Sequence, residues 1–101
     1  MDAALPFSEA RVATAVPSRY LGQLCKHFAH RLPVTFDEGQ GRIEFPAGVC
    51  ELQAETEPAT LAMRVTARDA ADLPGLEDVV ARHLVRFAFR EEPAISWTRS
   101  A

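Results

Sequence analysis

Between Val34 and Thr66 the chain alternates apolar and polar residues in successive short runs. Val34 and Phe36, then Ile43 and Phe45, then Cys50, Leu52 and Ala54, then Leu61, Met63 and Val65 each stand two residues apart, with Glu51, Gln53, Glu55, Ala62, Arg64 and Thr66 among the residues between them. A period of two belongs to a strand with one side buried and one side wet. The runs are separated by turn-formers: Asp37-Glu38-Gly39-Gln40-Gly41, whose two glycines can take positive φ, Pro46-Ala47-Gly48, and the stretch around Pro58. Four strands joined this way predict an antiparallel meander over residues 34 to 66. A sheet with a single apolar face must be covered on that face alone.

The flanking segments supply the cover. Ala10, Val12, Thr14 and Val16 alternate as a further strand, which Pro17 and Ser18 end, after a loose lead-in over residues 1 to 7. Leu21, Leu24, Cys25, Phe28 and Leu32 then recur at helical spacing, so a helix is expected near 18 to 31, stopped by Pro33. A second helix is expected near 73 to 90. It is capped by Asp69 or Asp72, with Pro74 in its first turn, and its stripe is Leu76, Val79, Val80, His83, Leu84 and Phe87. Ile95 and Trp97 predict a short last strand. The order β-α-β-β-β-β-α-β describes an α+β two-layer sandwich with both helices on one face of the sheet. Without its last strand it resembles the TATA-binding-protein-like topology, a likeness of fold that implies no function.

The chain's 101 residues suffice for one core, so residues 1–101 are expected to form a single domain. With 48% hydrophobic and 25% charged residues the chain has a globular composition rather than a disordered one. A net charge of −3 lacks the positive field that phosphate recognition needs, which argues against nucleic acid as a partner. No apolar run is long enough to span a bilayer and no export signal is visible, so a cytoplasmic domain with two reduced cysteines is expected.

Three constellations carry chemistry. Arg82, Arg86 and Arg90 recur every four residues with Phe89 beside them, a basic ridge suited to a carboxylate-bearing ligand or an acidic partner. Helix-end cations and the Asp78–Arg82 spacing explain part of it without any ligand. His27 and His30, three apart on the first helix, are neighbours that can share a cation, although two solvated histidines are the plainer account. Cys25, Cys50 and His83 all fall on core-facing positions and are candidates for one zinc or ferrous ion. Buried thiols and a hydrogen-bonded neutral imidazole are the plainer account of these. Cys25 and His27, two apart on a helix, point to nearly opposite sides, so a thiol–imidazole nucleophile is not expected and no catalytic residue is assigned. The chain has no glycine-rich nucleotide loop, and no cofactor is named.

The segments Tyr20-Leu21-Gly22-Gln23-Leu24-Cys25-Lys26-His27-Phe28-Ala29-His30, Gly41 through Cys50, and Leu76 through Glu91 resemble the bacterial family catalogued as domain of unknown function 2218, over roughly residues 8 to 99. Pro74 departs from the plain helix usual there. The resemblance implies no activity. It implies an accessory role beside siderophore-interacting flavin reductases, and hence a place in bacterial iron handling. The reading preferred from the sequence is a non-catalytic binding module of that kind. A small metal-handling protein using Cys and His ligands is the alternative, and a small-molecule enzyme the third.

Overall fold

The computed structural model describes residues 5–100. Its elements follow the order read from the sequence: β1 (Phe7–Ala13), α1 (Pro17–Phe28), β2 (Val34–Phe36), β3 (Gln40–Phe45), β4 (Gly48–Thr56), β5 (Ala59–Ala67), a single 3-10 turn (Ala70–Asp72), α2 (Leu73–Phe87) and β6 (Thr98–Arg99). The six strands form one antiparallel sheet in the order β2-β3-β4-β5-β1-β6. The meander therefore forms as expected, and β1 closes onto its last strand.

Register explains why one face is buried. Val34, Ile43, Cys50 and Val65 lie in one cross-strand row; Gly41, Leu52, Met63 and Ala10 in the next; Ala54, Leu61 and Val12 in a third. Both helices lie over these rows, and Leu21, Leu24, Cys25, Leu76, Val80 and Leu84 complete the core. The opposite face carries the alternate residues. One of its rows runs Arg42, Glu51, Arg64, Glu9, with signs alternating strand by strand. Arg64 pairs with Glu9 at 2.9 Å, Arg42 lies 3.9 Å from Glu51, and Arg11 pairs with Glu55. Opposite charges across strands support the sheet modestly and keep this face wet.

Several boundaries differ from the sequence reading. Phe7, assigned to the lead-in, begins β1 and donates its N–H to the Ser100 hydroxyl at 2.9 Å, whereas residues 1 to 4 lie outside the described part. Pro17 opens α1 rather than ending a strand, because a proline at the first helical positions forfeits only an N–H that has no helical acceptor. Val16 is consequently exposed. α1 ends at Phe28, whose carbonyl takes the N–H groups of both Arg31 and Leu32 as the chain turns toward Pro33. Phe36 lies on the inner face beside Gly41, as expected, but on the edge strand β2 it remains 41% exposed.

Asp69 caps the 3-10 turn by accepting from Ala71 N–H at 2.9 Å, and Pro74 sits in the first turn of α2. α2 stops at Phe87 rather than near residue 90, and Glu92 takes a left-handed φ of 45° where the chain reverses. Ile95 and Trp97 do not pair. They pack half-buried against the core, and pairing with β1 begins only at Thr98. Their alternation records burial along an extended segment that has no neighbouring strand.

Candidate functional site

The cysteines lie deep in the sandwich. Cys25, on the buried stripe of α1, sits over Gly41 of β3, and Cys50 lies in the central sheet row; both are wholly buried free thiols. Burial pushes the Cys25 thiol up to about 11, and burial, with Cys25 and Glu51 nearby, pushes Cys50 up further. Neutral thiols in an apolar setting act as small hydrophobes rather than as nucleophiles.

His83 does not join them. It lies half-buried at the edge of the α2 stripe, and its Nδ1 donates to the Val79 carbonyl at 2.6 Å. Its ring faces His27 and Phe28 of α1. Among the described residues no three Cys, His, Asp or Glu side chains gather to hold a metal ion, so the Cys25, Cys50 and His83 set is corrected to two core thiols and one rim imidazole. The physical reason is angular: His83 occupies the border of a helix stripe whose centre is Val80 and Leu84, and the border meets the neighbouring helix rather than the sheet.

The histidine pairing also changes. His30 falls past the end of α1, in the exposed turn, whereas the His27 ring lies 4.7 Å from that of His83, 5.1 Å from Phe28 and 5.8 Å from Phe87, centre to centre. Partial desolvation, followed by the charges of His83, Arg86 and His30, holds the His27 imidazole below its ordinary titration range. Sequence periodicity places His83 within the core-facing stripe of α2 and His27 away from the stripe of α1; that the two rings meet follows from helix packing, which a single sequence does not display. Beside His27 a hollow of about 440 Å³ is lined by Phe28, His30, Arg31 and Leu32.

Arg82 and Arg86 lie one turn apart on α2, whereas Arg90 falls in the turn after the helix ends. Arg82, Arg86 and Arg90 are exposed. Arg82 lies 3.7 Å from Asp78, while Arg86 and Arg90 have no ion pair among the described residues. Phe89 is 64% exposed, the Arg90 guanidinium lies 5.6 Å from its ring centre, and Val85 one turn back is 43% exposed. The nearby Glu91 carboxylate does not neutralise the ridge, because it accepts from the Tyr20 hydroxyl and from Thr14 Oγ1 at 3.2 Å on the other side of the chain. Sequence spacing found the arginines; the exposure of Val85 and Phe89 was not legible without the end of the helix.

Two further polar clusters fasten elements. Arg99 of β6 makes two 2.9 Å hydrogen bonds to the Glu77 carboxylate of α2, and this pairing holds the carboxyl below its usual range. The buried Ser8 hydroxyl lies close enough to favour that carboxylate but makes no hydrogen bond of ordinary geometry. A shallow hollow of about 370 Å³ on the wet sheet face is lined by the already paired Glu9, Arg11, Glu51 and Arg64.

Fold and site together define a one-sided α+β sandwich with a helix-borne basic and aromatic surface. The chain belongs to the bacterial family described as uncharacterized protein conserved in bacteria (DUF2218), whose model it matches over residues 9–98. It is similar to the protein in the NMR structure of PA4090 from Pseudomonas aeruginosa, with 33% identity, a TM-score of 0.70, and coverage of 95% of this chain and 96% of that one. No curated protein matches the chain. No described helix is long and apolar enough to cross a membrane.

Proposed function

We propose that the domain is a non-catalytic binding module whose contact surface is the outer ridge formed by Arg82, Val85, Arg86, Phe89 and Arg90. The observation that carries this reading is the exposure of Phe89, 64%, beside the guanidinium of Arg90. An aromatic ring that gains nothing from the core, beside Arg86 and Arg90, which have no carboxylate partner among the described residues, has the composition of an interface centre. The chain's net charge of −3 makes the ridge a local exception to its surroundings. An acidic surface with an apolar centre is the complement it fits.

The partner proposed is a siderophore-interacting flavin reductase of the same cell, which gives the module an accessory place in iron handling. Support for the partner is the family resemblance; support for the surface is the ridge itself. The test is calorimetric titration of the purified reductase with the wild-type domain, with Phe89→Ser and with Arg86→Gln/Arg90→Gln. Micromolar or tighter binding, weakened at least about tenfold in each variant at unchanged melting temperature and falling with added salt, is the expected result. Binding that ignores both variants places the surface elsewhere, and no binding to the reductase removes the iron-handling role.

A further inference from the structure

Side chains from two different helices meet at the rim of the sandwich, next to Arg86. We propose that His27 of α1 and His83 of α2 form a two-imidazole site for a borderline divalent cation of the Zn²⁺ class. Ring separation is the first support. An imidazole nitrogen binds such an ion at about 2.0–2.1 Å and lies about 1.1 Å from its ring centre, so two rings on one ion at angles of about 90–110° have centres about 4.5–5.2 Å apart. The rings of His27 and His83 are 4.7 Å apart, tilted by 44°.

Orientation is the second support. A carbonyl can only accept, so the 2.6 Å contact to Val79 places the proton of His83 on Nδ1 and leaves the lone pair on Nε2. Donation from the non-ligating nitrogen to a backbone carbonyl is how metal-bound histidines are fixed in tautomer and direction. Phe28 packs on both rings, at 5.1 and 4.8 Å, and Phe87 on His27 at 5.8 Å, so the imidazoles are held by aromatic neighbours rather than by competing hydrogen-bond donors.

Access is the third. His27 is exposed and His83 half-buried, so water reaches an ion held at the two rings and completes its coordination shell. With two protein ligands, against the four of a structural zinc centre, the ion exchanges readily, and Arg86 beside His27 weakens its hold further. Such a site binds and releases an ion; it does not build the fold.

The unfolded chain exposes two thiols that would themselves take zinc, so melting shifts are ambiguous and the readout belongs on native protein. Tag-free, EDTA-treated domain is titrated with zinc chloride while imidazole ¹⁵N resonances are followed, and affinity is measured by competition with a chromogenic chelator. Perturbation of both His27 and His83, larger at Nε2 of His83 than at its Nδ1, is expected. His27→Gln should lose at least about tenfold in affinity, and His30→Gln should retain it within about twofold. His83→Gln should match His27→Gln, and if it fails to fold, the His27 and His30 variants still decide. Zinc that leaves the His83 ring unmoved, or affinity lost in His30→Gln and kept in His83→Gln, overturns the site. So does an affinity that His27→Gln does not change.

Discussion

At the residue scale, Gly41 and Gly48 stand where neighbouring atoms leave no room for a Cβ. The sequence puts both in turns and expects positive φ at Gly39 and Gly41, yet no described glycine has one. Gly41 is there because α1 comes down on it: a Cβ would lie 2.6 Å from Cys25 Sγ and 3.4 Å from Leu21 Cδ2. At Gly48 a Cβ would overlap the Thr66 carbonyl oxygen and stand 2.9 Å from Leu76. A side chain can yield, and a backbone in a ladder cannot. Gly41→Ala should therefore destabilise by about 1–3 kcal/mol, and Gly48→Ala by more, since relieving it means parting β4 from β5. Combining Gly41→Ala with Cys25→Ala removes the clashing sulfur, so urea unfolding should give the double variant more stability than the sum of the single effects, by at least about 0.5 kcal/mol. Strict additivity would mean that Cys25 is not what excludes a side chain at position 41.

At the element scale, what was legible was whatever a periodic stripe records. Leu21, Leu24, Cys25 and Phe28 placed α1, and the alternations through Leu61, Met63 and Val65 placed the meander, because burial of one face leaves its period in the residue types. What was not legible depends on partners distant in sequence. β6 was read at Ile95 and Trp97, but a strand exists only where a neighbour offers a ladder, and β1 offers it at Ser8 and Glu9. The Glu77–Arg99 hydrogen bonds fix that short strand to α2 and likewise have no local signature. The site was legible to the same degree: the arginine ridge and each histidine could be named, whereas the His27–His83 approach needed the packing of two helices.

The same Glu77–Arg99 pairing gives this attachment a pH dependence whose sign is fixed. Arg99's hydrogen bonds lower the Glu77 pKa in the folded chain, so the stabilisation is present above the ordinary carboxylate range and is lost as pH falls through the depressed folded value. Glu77→Gln should be less stable than wild type at pH 7, and the gap should narrow in acid, closing only once pH has fallen below the depressed folded value. Urea unfolding across that range measures it. A gap that stays constant with pH would assign the loss to packing around the half-exposed Arg99 rather than to the charge.

At the scale of the whole molecule, a one-sided sandwich has a problem that its two helices do not solve: among the described residues no element covers the second sheet face. Six strands present it to water, and the row Arg42, Glu51, Arg64, Glu9 crosses it with alternating sign. Individually these exposed pairs contribute little to stability. Collectively they make the face expensive to dehydrate, because stacking a second sheet on it would strip water from exposed charges, of which Arg42 and Glu51, 3.9 Å apart, are paired only loosely. The lattice is thus a device for keeping one face out of contact while the Phe89 ridge, on the helical side, remains available. Replacing the directly opposed Glu51 and Arg64 together by valine leaves the net charge unchanged, since one charge of each sign is removed, and substitutes residues with stronger strand preference. Folding stability should therefore stay within about 1 kcal/mol of wild type. Sedimentation velocity should nevertheless show reversible association that grows with protein concentration beyond anything the wild-type chain displays, because the new apolar pair joins Ala62 at the centre of the open face. If the double variant sediments as the wild type does at every concentration, twist and edge geometry rather than the charge lattice keep this face apart.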